Sequence, residues 1–157
     1  MADHFARYIA SLRQALFDEK IVNFRFLELD MFETANPRFL EDICARYFTD
    51  VAEVFDLMVH ELQGPPYNSP LIESLLNRLS ARTFIFGAVK VTHQIDLMRS
   101  SLRRGDFEAC KNAFEGIIRE KEFLQNKLDN YLKARKQGPP DEIEDQPEYE
   151  DMDTDSE

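Results

Sequence analysis

Apolar residues recur at spacings of three and four along most of this 157-residue chain. That period is typical of an amphipathic α-helix, whereas the strict alternation of half-buried strands is scarce. Glycine is rare, with five residues, and the prolines fall where the apolar pattern breaks. The sequence therefore predicts an all-α fold.

The breaks divide the chain into six predicted helices. The third has the clearest start, because Asn36 is a good N-cap and Pro37 suits the first helical position, where its missing N–H needs no partner. The fourth begins at Ser69-Pro70, Gly87 marks a bend or a close contact, and Asp106 caps the sixth. The first three predicted helices cover about 3–17, 23–33 and 36–63. The fourth begins at 69, the fifth ends at 105, and the sixth covers about 106–136.

The third to sixth segments are long and joined by short loops. They predict an antiparallel four-helix bundle, with two additional N-terminal helices covering one end. The buried stripe predicted for the third helix consists of Leu40, Ile43, Tyr47, Val51, Val54 and Met58.

The net charge of −11 is concentrated at the end of the chain. Residues 141–157 contain ten acidic side chains and no Lys or Arg, whereas residues 1–140 carry 20 acidic and 19 basic ones. We expect one helical domain over 1–136 and a disordered acidic tail over 137–157, since the tail cannot bury enough apolar surface to offset chain entropy. A nearly neutral folded part argues against nucleic acid as a partner.

Several kinds of chemistry have no residues to support them. No run of about 18 apolar residues predicts a membrane span, and the mixed N-terminus predicts no signal peptide. His4, His60 and His93 are scattered, Glu-x-x-His is absent, and no phosphate-binding or nucleophile motif occurs. Cys44 and Cys110 fall in helical patterns and are expected to be buried thiols. We therefore expect no enzyme activity, no metal and no cofactor.

The fourth helix carries a polar face in its middle. On a helical wheel at about 100° per residue, Asn77 points away from Ile72, Leu75, Leu79 and Phe86, which face the core. The side chains predicted to share its exposed face are Glu73, Ser74, Ser80, Ala81 and Phe84.

Three stretches resemble the plant histidine-containing phosphotransfer (HPt) proteins. They are Asn77-Arg78-Leu79-Ser80-Ala81-Arg82-Thr83-Phe84-Ile85-Phe86-Gly87-Ala88, the segment NPRFLEDICARYFTD from Asn36, and KEFLQNKLDNYL in the last helix. Their order and spacing cover about residues 5–135. In this register the phosphorylated histidine of the family falls on Asn77, its lysine on Ser80 and the following glycine on Ala81.

The resemblance implies a pseudo-phosphotransfer protein. An imidazole accepts a phosphoryl group, whereas a carboxamide nitrogen is neither basic nor nucleophilic, and Ser80 removes a stabilising positive charge. Such proteins damp two-component signalling of the cytokinin type by occupying response-regulator receiver domains and hybrid histidine kinases. The resemblance further implies a monomer in cytoplasm and nucleus. The expected partner-binding residues are Glu73, Ser74, Asn77, Ser80, Ala81 and Phe84.

Some alternatives remain open. The chain could be a bundle adaptor outside phosphorelays that binds through Phe84 and the acidic tail, or Phe84 could pack against the first or second helix. Arg82 falls at the edge of the apolar side and is expected either to extend outward or to shift a neighbouring helix. His93 could be a replacement phosphoacceptor, but the sequence favours a solvated surface histidine. The same holds for His60. Thr154 and Ser156 in the tail suit acid-directed kinases.

Overall fold

The computed structural model describes residues 2–31 and 38–137. They form six helices: α1 (Ala2–Asp18), α2 (Phe24–Met31), α3 (Phe39–Glu61), α4 (Ser69–Phe86), α5 (Val89–Arg103) and α6 (Phe107–Gln137). Within this part of the chain there is no strand, only an isolated bridge between Val22 and Ala88. The prediction of an all-α fold with six helices is confirmed.

The chain divides into two compact units. The smaller consists of Met1–Asp18 and Asn126–Glu157 and contains α1 and the end of α6. Within it, Arg13 Nε donates a hydrogen bond of 3.1 Å to the hydroxyl of Tyr131, and the Arg135 guanidinium lies 5.5 Å from the centre of the Tyr131 ring. The predicted acidic tail beyond Gln137 lies outside the described residues, so the boundary between 136 and 137 stays a prediction.

The larger unit, Glu19–Gln125, contains the candidate site. Its helices α3, α4, α5 and α6 up to Gln125 form a bundle in which α4 packs against both α3 and α5. Aromatic pairs join α6 to the rest: the rings of Phe55 and Phe114 meet edge to face at 5.5 Å, and those of Tyr67 and Phe107 stack at 4.1 Å. The rings exclude water from the core and pack in preferred geometries.

The predicted stripe of α3 is buried at five of its six positions. Ile43 is only half-buried, because it lines a surface cavity of about 230 Å³ together with Arg46 and Tyr47. Cys44 and Phe48 are buried beside the stripe instead. Cys44 and Cys110 are both buried and form no disulfide within the described part of the chain.

Polar side chains cap the N-termini of α4 and α6. Asn68, one residue before the predicted start, caps α4 by accepting a hydrogen bond of 3.1 Å from the Leu71 N–H. The predicted cap of α6 is confirmed, because Asp106 Oδ1 accepts one of 3.0 Å from the Ala109 N–H. The predicted cap at Asn36-Pro37 lies outside the described residues.

Gly87 connects α4 to α2. It ends α4 with φ 88°, a left-handed conformation, and its carbonyl accepts a hydrogen bond of 3.0 Å from the Asn23 N–H. A Cβ atom at Gly87 would lie 2.9 Å from the backbone nitrogen of Phe26. Only glycine fits this combination of backbone angle and close contact, which confirms the contact predicted there.

Among residues 2–31 and 38–137, no helix combines the length and apolar character that crossing a membrane requires.

Candidate functional site

The residues predicted to share one side of α4 do lie together there. Glu73, Ser74, Asn77, Ala81 and Phe84 are exposed and Ser80 is half-buried; these six form what we call the Asn77 face. The opposite side is buried at the four predicted positions, and also at Leu76 and Thr83.

Asn77 is held by a residue that the sequence did not single out. Arg99 of α5 donates a hydrogen bond of 3.1 Å from Nη2 to Asn77 Oδ1, and its Nη1 lies 3.3 Å from Asp96 Oδ1. The Arg99 side chain is 18% exposed, so its guanidinium is largely fixed in place. A positive charge contributed by α5 therefore lies beside Asn77.

Two arginines of α4 reach the carboxylates of α3. Arg78 Nη2 lies 2.7 Å from Asp50 Oδ1 and 2.5 Å from Glu53 Oε1, and the hydrogen bond to Asp50 is the main cause that raises the pKa of Arg78. Arg82 Nε lies 3.1 Å from Asp50 Oδ2, without the alignment of a hydrogen bond. The Arg82 side chain is 60% exposed, which confirms that it extends outward.

Phe84 lies at one end of the Asn77 face. The guanidinium of Arg25, on α2, covers its ring at 4.1 Å from the centre, a cation–π distance. Even so, 52% of Phe84 remains exposed. The ring therefore contacts the second helix and still presents apolar surface to solvent. Its role in binding a partner stays a prediction.

A buried polar contact supports this part of α4. The hydroxyls of Tyr47 and Thr83 share a hydrogen bond of 2.8 Å, and the Tyr47 ring stacks on Phe86 at 4.4 Å. Burial raises the pKa of Tyr47 to about 12. Thr83 is fully buried, and its hydroxyl ties α4 to α3. Sequence reasoning did not find this pair, because a threonine on an apolar helix side gives no signal of its partner.

The histidines and possible metal ligands considered from the sequence do not form a second site in the described part of the chain. His60 and His93 are exposed, on α3 and α5. No group of three or more His, Cys, Asp or Glu side chains in the described part of the chain is arranged to hold a metal ion. The Asn77 face itself presents the Asn77 carboxamide, the Glu73 carboxylate, two serine hydroxyls and the Phe84 ring. The Arg99 guanidinium lies beside it.

The fold and this face define a helical-bundle protein whose exposed fourth helix presents a polar residue at its middle. The chain matches no protein-family model. It is 27% identical over 126 residues to histidine-containing phosphotransfer protein 4 of Arabidopsis thaliana, covering 80% of this chain and 96% of that protein. It is 24% identical over 135 residues to pseudo histidine-containing phosphotransfer protein 5 of Oryza sativa subsp. japonica, covering 85% and 89%.

Solved structures show the same fold. A histidine-containing phosphotransfer protein from rice superimposes with a TM-score of 0.78 at 19% identity, over 87% of this chain and 96% of that one. One from Medicago truncatula superimposes with a TM-score of 0.79 at 20% identity, over 86% and 92%. The chain is therefore similar in sequence to histidine-containing phosphotransfer proteins and shares their fold.

Proposed function

We propose that this protein is a catalytically inactive phosphotransfer homologue that docks receiver domains or hybrid histidine kinases of a two-component phosphorelay. By occupying them without accepting phosphate, it competes with active phosphotransfer proteins. Signalling of the cytokinin type, action as a monomer, and a place in cytoplasm and nucleus belong to the same proposal. One observation supports it: an exposed asparagine occupies the middle of α4. The resemblance of the surrounding segment assigns the family's phosphoacceptor to this residue.

The inactivity follows from the chemistry of the amide. Phosphoryl transfer to an imidazole forms a P–N bond through the nitrogen lone pair while the bond to the donor oxygen breaks. The amide lone pair of Asn77 is delocalised into its carbonyl, and the hydrogen bond that Arg99 donates to that carbonyl oxygen draws electrons further from nitrogen. The nitrogen therefore cannot act as the nucleophile, whereas the surface around it can still bind.

Features of the Asn77 face support docking. Ala81 is small and exposed, so a partner backbone can approach α4 closely there. Phe84 adds apolar surface that a partner can bury, and aromatic side chains often dominate binding energy. The guanidinium groups of Arg82 and Arg99 offer charge-assisted hydrogen bonds to an anionic phosphoryl group on the partner.

Binding measurements on full-length protein test the proposal. Titration calorimetry against a panel of receiver domains, phosphorylated and unphosphorylated, should give dissociation constants on the order of micromolar for at least one receiver. Ala81→Arg should abolish that binding by blocking the close approach. Ala10→Arg is the matched control, because it places the same side chain at an exposed position on α1.

Failure to bind any receiver would contradict the proposal. The second candidate, a bundle adaptor that uses the exposed Phe84 for another partner, would then be favoured. Unchanged binding in Ala81→Arg would show that docking occurs elsewhere than the Asn77 face. Equal loss in Ala81→Arg and Ala10→Arg would show that the loss is not specific to that face.

A further inference from the structure

The end of α5 carries a group of cations next to the Asn77 face. Arg99 and Arg103 are four residues apart and so lie on the same side of the helix, and Arg104 follows directly. With Asp96 and Ser100 they line an open hollow of about 580 Å³. We call Arg99, Arg103 and Arg104 the α5 arginine surface.

The charge of this surface is largely uncompensated. Asp96 lies 3.3 Å from Arg99, but among the described residues no carboxylate forms an ion pair with Arg103 or Arg104. Arg104 instead donates to the hydroxyls of Ser100 and Ser101, at 3.0 and 3.4 Å. These neutral contacts orient the guanidinium without neutralising it. A local excess of positive charge therefore lies in a folded part whose total charge is close to zero.

The shape of the hollow favours a protein surface over a small molecule. Its lining residues all come from the end of α5 and the residue that follows it, so no opposing helix encloses a ligand. Small-molecule sites are concave and bury most of their ligand. An open row of guanidinium groups instead matches carboxylates spread over a partner's surface, which each planar fork can bind through two hydrogen bonds.

Arg99 makes this surface continuous with the Asn77 face, because the same guanidinium bonds to Asn77 and lines the hollow. We propose that the α5 arginine surface is the electrostatic part of the docking interface and binds an acidic surface of the receiver domain beside its phosphoacceptor site. This inference rests on the proposed function and names the chemistry of the partner. Charges at an interface rim act mainly on the association rate and on its dependence on salt.

Association kinetics with a receiver that binds the wild type test the inference. Arg103→Glu/Arg104→Glu should slow association by about tenfold or more at low salt and flatten its salt dependence, with little change in dissociation. Wild type and variant should converge at about 0.5 M NaCl, where screening acts within about 4 Å. Arg103→Lys/Arg104→Lys should stay close to wild type in its salt dependence.

A matched control distinguishes the effect of charge at the α5 arginine surface from the effect of the protein's net charge. Arg119→Glu/Lys133→Glu changes the net charge by the same amount at exposed positions of α6. Association of this control should change by no more than about twofold. Circular dichroism and thermal unfolding of both double variants check that the helices are intact.

The outcomes distinguish this inference from the proposed function. If no receiver binds the wild type, the proposed function fails. If a receiver binds and both double variants behave alike, the inference fails and the proposed function stands. Tighter binding by Arg103→Glu/Arg104→Glu would show that the arginines attract a competing acidic segment, which overturns the inference. So would arginine-dependent binding of a short DNA duplex at an affinity equal to that for the receiver.

Discussion

Arg99 Nη2 donates a hydrogen bond of 3.1 Å to Asn77 Oδ1, which joins α5 to the centre of the exposed face of α4. The sequence had indicated a site that lost both its imidazole and its nearby cation, because Ser80 replaces the lysine of the family. In the structure, Arg99 supplies a positive charge from the next helix. The structure therefore places beside Asn77 a guanidinium that the sequence did not predict.

Replacing Asn77 tests whether the missing nucleophile alone accounts for the proposed inactivity in phosphoryl transfer. We expect Asn77→His to accept little phosphoryl group from a phosphorylated receiver, because Arg99, Arg82 and Phe84 are arranged around a carboxamide. Asn77→His/Ser80→Lys, which also introduces the lysine of the family, should accept about a hundredfold more, since one group that stabilises the transition-state charge typically has an effect of about this size. A labelled phosphohistidine band on a denaturing gel at neutral pH measures both.

The wild type and Ser80→Lys are the controls, and neither should become labelled. If Asn77→His alone is labelled as fast as the double variant, Ser80 has no part in the inactivity. Label on the wild type would contradict inactivity itself, and its loss in His93→Gln would assign it to the exposed histidine of α5.

Phe84 is predicted to contribute to docking without contributing much to stability. Its ring is 52% exposed, so Phe84→Ala should lower the free energy of unfolding by less than about 1 kcal/mol. Receiver affinity should fall about tenfold or more, as for an aromatic side chain that a partner buries. Calorimetric titration and urea unfolding measure the two effects.

Phe123 provides the matched control. It is 41% exposed on α6, and Lys90 lies over its ring at 5.5 Å, much as Arg25 lies over Phe84. Phe123→Ala should leave receiver affinity unchanged. A similar loss of affinity in both variants would argue against a specific role for Phe84.

The buried pair Tyr47–Thr83 is predicted to stabilise the contact between α3 and α4. Thr83→Val keeps the shape but leaves the Tyr47 hydroxyl without its partner at 2.8 Å, which should cost about 1–3 kcal/mol. The double variant Tyr47→Phe/Thr83→Val should lose less than the sum of the single variants, because both polar groups are then gone. Urea unfolding of the four proteins gives the coupling energy, and additive losses would mean that the hydrogen bond contributes nothing.

Tyr47 also predicts how stability changes in alkaline solution. Burial raises its pKa from 10.0 to about 12, so the folded protein retains the phenol proton at pH values where the unfolded chain releases it. Its contribution to stability is therefore complete below pH 10 and is lost as the pH rises from 10 to about 12. Over that interval the wild type should lose more free energy of unfolding than Tyr47→Phe, by on the order of 2 kcal/mol. Identical losses would contradict the raised pKa.

The sequence predicted the direction of side chains better than their partners. The helical period placed Asn77 and Phe84 outside and Ile72 and Leu79 inside, because it fixes which side of a single helix is apolar. The same period predicted that Arg82 would extend outward or shift a neighbouring helix, and the structure shows the first. It could not identify Asp50 as the neighbour of Arg82, because the rotation and depth of two packed helices depend on the whole core.

The contacts between helices at the site could not be predicted from the sequence either. Asn77 and Arg99 are 22 residues apart, and Tyr47 and Thr83 are 36 residues apart. Each pair joins two helices, so neither contact has a signature within one segment. Gly87 differs, because its place after the apolar run of α4 already indicated a special backbone position.

Gly87 is predicted to be the least replaceable of the glycines that end helices. Its φ is 88°, and a Cβ atom there would lie 2.9 Å from the backbone nitrogen of Phe26 and would also collide with the Asn23 side chain. Gly105 has a similar φ of 72° but no atom within 4 Å of the corresponding Cβ position. Gly105→Ala should therefore cost about 1–2 kcal/mol through backbone strain alone.

Gly87→Ala carries that strain and the collision with the first turn of α2, so it should cost about 3 kcal/mol or more. Urea unfolding of the two variants, measured side by side, isolates the contribution of the contact. The difference should also appear in receiver binding, since α2 holds Arg25 against Phe84 and its displacement would alter the Asn77 face. Equal destabilisation by the two substitutions would show that α2 moves away from Gly87 at little cost, and that the position of α2 does not depend on this close contact.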